Sequence, residues 1–241
     1  MSERKIVLVT GASRGIGRAA ALALAKADWH VIATARAQRA LEELDDEIKA
    51  AGKSATLVPL DLKDGDGIDR LGGALYERYG RLDGLAACAG VLGPLTPAHQ
   101  ATPGVMAEVM AINFHANHRL IRAMHPLLRA APAARAVFVS SSSARSRRAY
   151  WGPYAASKSA LDALVQAYAK ECAITPIRAN ILYPGATRTA MRAKAFPGED
   201  PETLKPPEDV AKLIVAMLSS GYDANGEIVD YDETKAPALS S

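Results

Sequence analysis

Cysteine is almost missing from this chain: Cys88 and Cys172 are the only two in 241 residues, far too few for a disulfide-built secreted scaffold. Also missing is any uninterrupted apolar run long enough to span a bilayer. The opening "MSERKIVLVT" passes from a short charged lead straight into a β-branched run, which leaves no room for a signal peptide's apolar region and cleavage site. The expectation is a cytoplasmic protein in a reducing compartment with no membrane partner. No charge of one sign dominates, since 29 Lys and Arg face 26 Asp and Glu and both signs are spread along the chain. Nucleic acid is therefore not an indicated partner. Internal repeats, low-complexity tracts and breaks in composition are absent as well. With 49% apolar and 23% charged residues, residues 1–241 read as a single self-sufficient globular domain.

What is present is an alternation. Short β-branched runs, "KIVLVT", "HVIATA", "ATLVPL", "LDGLAA", "AVFVS", "IRANIL" and "EIVD", are separated by segments long enough for crossover helices. Seven strands spaced this way predict a doubly wound parallel sheet of the Rossmann type, a three-layer α/β/α fold with its site beyond the strands' C-terminal ends. Residues 101–130 and 153–172 read as long helices with surface to spare for a second subunit. Residues 188–209, rich in Pro and charge and without a sustained period, read as a lid over the sheet's C-terminal edge.

The first strand runs into "TGASRGIG", where Gly11, Gly15 and Gly17 precede the helical "RAAALALAKA". Glycines let a backbone turn tightly and approach a pyrophosphate, and a helix start offers free N–H groups to it. Ser13, Arg14 and Ile16 share that turn. At the end of the second strand, where NAD-binding folds usually place an acid for the ribose hydroxyl, stands Ala35, followed by Arg36. Arg36 and Arg14 suit the extra phosphate of NADP(H).

Farther along, "YAASK" sets Lys158 four residues after Tyr154, hence on the same helical face. Tyrosine has a pKa of about 10, and a neighbouring ammonium lowers it toward useful acid/base chemistry. His115 and His118 share a helical spacing, but without an obvious carboxylate or cysteine partner no metal site is expected. Arg145, Arg147 and Arg148, between the serine run 140–143 and Tyr154, are either solvated charges or receptors for an anionic substrate.

With the glycine turn and "YAASK" in place, the chain resembles the short-chain dehydrogenase/reductase family along essentially its whole length. Thr10 through Gly17 match TGxxxGxG, and Tyr154 and Lys158 match YxxxK. Pro184, Gly185 and Thr189 match PGxxxT, with Thr187 between them. Asp61, followed by Leu62, matches the aspartate after the third strand. The resemblance implies that Ser141 bonds the reacting oxygen, that Asn113 holds a water relay, and that Lys158 also bonds the nicotinamide ribose. It further implies a homodimer or homotetramer, built through the two long helices, acting on a small-molecule carbonyl/alcohol pair. One departure is "ACAG", where Ala87 and Cys88 replace two asparagines while Ala89 and Gly90 keep the close approach to cofactor. The segment 188–209 also resembles bacterial oxidoreductases of the YciK type. An NAD-linked alcohol dehydrogenase and a non-catalytic NADP-binding sensor are the alternatives; the filled set Asn113, Ser141, Tyr154 and Lys158 favours an enzyme.

Overall fold

The first strand explains the layering. β1 (Ile6–Thr10) is buried throughout, and its alternation sends Ile6 and Leu8 into one apolar layer and Val7 and Val9 into the other. The computed structural model describes residues 4–233. In chain order it holds β1, α1 (Gly15–Lys26), β2 (His30–Ala35), α2 (Gln38–Ala50), β3 (Ala55–Pro59), α3 (Gly65–Tyr79), β4 (Gly84–Ala87) and α4 (Pro103–Met110). There follow α5 (Ala116–Ala130), β5 (Ala134–Val139), α6 (Ser143–Ser146), α7 (Gly152–Glu171), β6 (Ile177–Tyr183), α8 (Ala190–Ala195), α9 (Pro207–Met217) and β7 (Ile228–Asp230).

The seven strands form one parallel sheet in the order β3-β2-β1-β4-β5-β6-β7. Helices α3, α5 and α7 bury their apolar faces on one side, with Leu71, Leu120 and Leu161 in that layer. Helices α1, α2 and α9 close the other, with Leu24, Leu44 and Ile214. The strand order reverses between β1 and β4, and that switch point opens a crevice beyond their C-terminal ends. All seven expected strand segments are strands of this sheet, and the Rossmann-type three-layer arrangement is the one expected.

Two expected boundaries change. The helix expected over 101–130 is not one regular helix: a single wide turn of π type, Ala111–His115, joins α4 to α5, and Asn113 sits at its centre. Such turns insert an extra residue and re-aim the side chains around it. The irregular segment 188–209 ends earlier than expected, because Pro207 opens α9 and Glu208 and Asp209 fill its first turn, a favourable place for carboxylates. What remains is an excursion closed at its base, where Thr187 and Lys205 pair as a bridge and the Arg188 N–H donates to the Lys205 carbonyl at 2.9 Å. Among the described residues no helix is long and apolar enough to cross a membrane.

Candidate active site

The glycine turn lies at the switch point. Its Ala12 N–H donates to the Thr34 carbonyl at 3.1 Å, which ties the turn to β2, and Thr10 Oγ1 accepts the Ala89 N–H at 3.2 Å, which ties β1 to the loop after β4. Gly11 has φ +69°, and a Cβ there would stand 2.9 Å from the Ala89 Cα, so only glycine lets the two chain crossings meet. Helix α1 starts at Gly15 with no side chain capping it and no acid in its first turn, whereas Asp64 caps α3 by accepting the Gly67 N–H at 2.9 Å. An uncapped start after a glycine turn leaves N–H groups for an anion, and the residues fit a nucleotide pyrophosphate. Thr189, which caps α8, has its methyl 3.3 Å from where a Gly15 Cβ would sit, so the PGxxxT segment meets the glycine turn.

Gly17 packs still closer: a Cβ there would overlap the Gly11 carbonyl oxygen. Gly17→Ala is therefore expected to force the turn open at a cost of about 1–3 kcal/mol. Thermal melts should show a Tm lowered by several degrees and no longer raised by added NADPH; an unchanged melt would mean the turn tolerates a side chain.

The remaining cofactor candidates are spread along the sheet's edge. Ala35 and Pro59 are register partners at the ends of β2 and β3, so Arg36 and Asp61 both lie just past that paired edge. Arg36 and Arg14 are exposed and make no ion pair among the described residues, while Arg18 one turn on is held by Glu47 at 2.8 Å. Asp61 is exposed and accepts the Lys63 N–H at 3.0 Å. Leu62 is buried in the apolar layer beside it. Thr187 donates its hydroxyl to the Pro184 and Gly185 carbonyls, steadying the PGxxxT turn, in which Gly185 takes φ +66° against the Asp232 carboxylate. Ser13 and Ile16 are half-buried in the glycine turn itself.

Tyr154 and Lys158 lie on the buried face of α7, only 7% and 3% exposed. Pro153 in the helix's first turn and the Ala155 N–H bonded to the Trp151 carbonyl at 2.8 Å fix where α7 begins, and so where Tyr154 points. Lys158 Nζ donates to the Val139 carbonyl at 2.8 Å and stands 5.8 Å from the Tyr154 ring centroid. The expected lowering of the tyrosine's pKa is reversed in this arrangement. Burial pushes the Tyr154 hydroxyl up to about 12, with the nearby Ser141 hydroxyl pulling the other way. Burial also brings the Lys158 ammonium down to about 8. Within the serine run, Ser140 and Ser143 are buried and Ser142 is exposed; Ser141 is half-buried, close to Tyr154, and bonded to Ser143 by hydroxyl and N–H, both at 3.1 Å.

Asn113 is a clamp. Its side-chain amide donates to the Val91 carbonyl and to Ser157 Oγ, and accepts the Val91 N–H, each at 2.9 Å, while the Asn117 amide donates to its main-chain carbonyl at 2.9 Å. Ser157 in turn donates to the Tyr154 carbonyl at 2.7 Å. A Cβ on Gly90 would stand 3.4 Å from Asn113 Oδ1 and 3.6 Å from Lys158 Nζ, so amide and ammonium converge on that glycine. Val91 and Ser157 were not among the expected site residues, and Thr10 was expected only as the first residue of the glycine motif, without the tie its hydroxyl makes to Ala89. The one sequence signal available was a serine three residues after the tyrosine, a spacing at which hydroxyls bond back to a helix carbonyl.

Burial pushes the Cys88 thiol up to about 12, which disfavours the thiolate on which cysteine reactivity depends. The mouth of the crevice is aromatic: Trp151 meets Tyr154 edge-on at 5.9 Å, and Phe196 from the excursion packs on Trp151 at 5.7 Å.

With the fold and this geometry in place, the chain can be set beside known proteins. The family model of the short chain dehydrogenases matches residues 5–200 of this chain. The chain belongs to the short-chain dehydrogenase family. Within that family it is 40% identical to the uncharacterised oxidoreductase YciK of Escherichia coli (strain K12), over 98% of this chain and 95% of that protein. The solved structure of YciK from E. coli superposes with a TM-score of 0.90 at 39% identity, covering 94% of each chain. A short chain dehydrogenase of Shigella flexneri 2a str. 301, crystallised with NADP, gives a TM-score of 0.90 at 39% identity over 94% of this chain and 96% of its own. The likeness to YciK-type short-chain dehydrogenases thus runs through the whole chain and is not confined to the segment 188–209.

Proposed function

We propose that this short-chain dehydrogenase is an NADP(H)-dependent oxidoreductase that interconverts a carbonyl and its alcohol. The observation that carries the proposal is the buried Tyr154–Lys158 pair, with Ser141 beside the tyrosine, at the crevice of an uncapped glycine-rich helix start. NADPH bound there supplies the hydride. Tyr154 donates its proton to the carbonyl oxygen, Ser141 donates a hydrogen bond to the same oxygen, and Lys158 stabilises the tyrosinate left behind. Lys158, which bonds the Val139 carbonyl, would also hold the nicotinamide ribose, and Asn113 would anchor a water through which the proton is replaced. Cofactor choice is supported by the unpaired Arg36 and Arg14, by Ala35 at the acidic position, and by relatives crystallised with NADP and with NADPH. The excursion 188–206 acts as a lid through Phe196, and two or four copies assemble through the long helices. Consumption of NADPH absorbance over a panel of ketones, quinones and β-keto thioesters tests the reading. Turnover with NADH alone would favour an NAD-linked dehydrogenase, and tight NADPH binding with no turnover would favour a sensor.

The substrate carries an anionic group on a planar apolar body. Supporting this, Arg145, Arg147 and Arg148 are exposed and make no ion pair among the described residues, whereas Glu199 and Glu202 across the mouth are committed to Arg192 and Arg188. Arg147 and Tyr150 hold left-handed φ values of +48° and +70°, and the Thr96 N–H bonds the Tyr150 carbonyl at 2.9 Å to keep them there. Arg148 lies 5.8 Å over Phe196, so cation and aromatic wall are adjacent. In a matched pair, 4-carboxybenzaldehyde should be reduced with a kcat/KM about tenfold above that of its methyl ester, as expected for one charge-assisted contact. Joint replacement Arg147→Ala and Arg148→Ala should erase that ratio through KM; a ratio that survives would show that the arginines are solvated charges.

A further inference from the structure

Asp162 is a buried carboxylate that the reaction as proposed does not use. It follows Lys158 on α7 by the spacing that separates Lys158 from Tyr154, so three ionisable side chains run along one stripe of the helix. Asp162 is 7% exposed, and a carboxylate so covered needs donors or an opposite charge. Tyr183, the last residue of β6, donates its hydroxyl to Asp162 Oδ2. Oδ1 is buried and has no hydrogen-bond partner among the described residues, with the Ser140 hydroxyl nearby but out of bonding geometry. Arg145 lies 5.2 Å over the Tyr183 ring, closing the arrangement on its outer side. On its inner side Lys158, one helical turn earlier and also buried, is the nearest cation along the stripe; it bonds the Val139 carbonyl and forms no ion pair with Asp162, so the two charges act on each other through space.

We propose that Asp162, held by Tyr183, is a positioning residue that keeps Lys158 in its ammonium form inside the sealed site. The proposal rests on the reading of Lys158 as the partner of Tyr154. An isolated lysine buried this deeply would give up its proton near neutral pH, and Lys158 is brought to about 8 by burial, with Asp162 the stronger of two opposing influences and Cys88 the weaker. The other groups packed around the pair do not replace the carboxylate. Tyr154 is kept neutral because burial raises it, Cys88 is raised by burial and is the weaker influence on Lys158, Arg145 acts on Asp162 and Tyr183 from α6, and Asp230 on β7 acts on Tyr183. Burial raises Asp162 on balance, and the Ser140 and Tyr183 hydroxyls, Lys158 and Arg145 pull against it toward the carboxylate form.

The test is the pH dependence of kcat/KM for carbonyl reduction by NADPH. The wild-type alkaline limb is expected near the Lys158 value of about 8. Asp162→Asn should move that limb to lower pH by about one unit or more, the size of effect an adjacent opposite charge has. Asp162→Glu should restore it most of the way. Loss of a merely structural contact would lower the rate alike at every pH, so a folded Asp162→Asn protein with an unmoved limb overturns the proposal. Should that variant fail to fold, Asp162→Ser offers Tyr183 a smaller neutral acceptor and carries the same expectation. NADPH binding, followed by its fluorescence over the same pH range, reads the charge on Lys158 without turnover. A wild-type protein that binds NADPH but reduces no carbonyl would sink the oxidoreductase reading, and the shift of the binding profile in Asp162→Asn would still decide this one.

Discussion

Tyr154→Phe is expected to lower kcat by about 10²–10⁴-fold while leaving NADPH binding and the melting temperature near wild type. The size follows from the role: without the phenol, the proton reaching the developing alkoxide has to come from water through a site that is 7% exposed at this residue. The clean separation from folding follows from the contacts. The Tyr154 ring packs edge-on against Trp151 at 5.9 Å, and phenylalanine keeps that packing. Ser141 already exchanges hydrogen bonds with Ser143, so deleting the phenol strands no buried group. Tyr168 and Tyr183 are the internal controls. Phenylalanine at Tyr168 removes the partner of His125 Nδ1, 2.9 Å away, and at Tyr183 the donor to Asp162, so those variants should lose stability first. Steady-state kinetics beside thermal melts separate the two patterns, and wild-type turnover in Tyr154→Phe would remove the residue from the chemistry.

The parts of the molecule legible in the sequence are those governed by local pattern. Central strands of a parallel sheet are apolar on both faces, so "KIVLVT" and "AVFVS" announce β1 and β5 directly. Glycine spacing and the four-residue step from Tyr154 to Lys158 are local as well, since a turn and a helix fix their geometry. What stayed hidden depends on elements that meet only in the fold. Asn113 contacts Val91 and Ser157, 22 and 44 positions away, and the wide turn that aims it has no period of its own. Asp162 and Tyr183 meet across 21 positions because α7 packs over the end of β6. The net position of the tyrosine's pKa was out of reach for a related reason: sequence spacing gives reach but not burial, and burial dominates both groups. Pro206 and Pro207 read as loop, although proline suits the first position of a helix and α9 begins there.

The choice of cofactor rests on fewer atoms than the chemistry does, and Arg36→Glu tests it by inverting a charge. Ala35 is 8% exposed and has no group to offer a ribose hydroxyl, while Arg36, the next residue, points into solvent past the paired ends of β2 and β3. A guanidinium on a phosphate is a charge-assisted contact of about 1.5–3 kcal/mol, and glutamate both removes it and repels the phosphate. The Kd for NADPH should therefore rise by about 10²-fold, and that for NADH should hold or fall, because a carboxylate at this edge can accept from the ribose hydroxyl. Arg14→Ala should shift NADPH in the same direction by less, since its contact is the second of two. Rising salt should weaken NADPH binding in the wild type and weaken it less in Arg36→Glu, where it also screens the new repulsion. Fluorescence titration of both cofactors decides the matter by the difference between them: an equal loss for NADH and NADPH would mean that Arg36 supports the turn and not the phosphate.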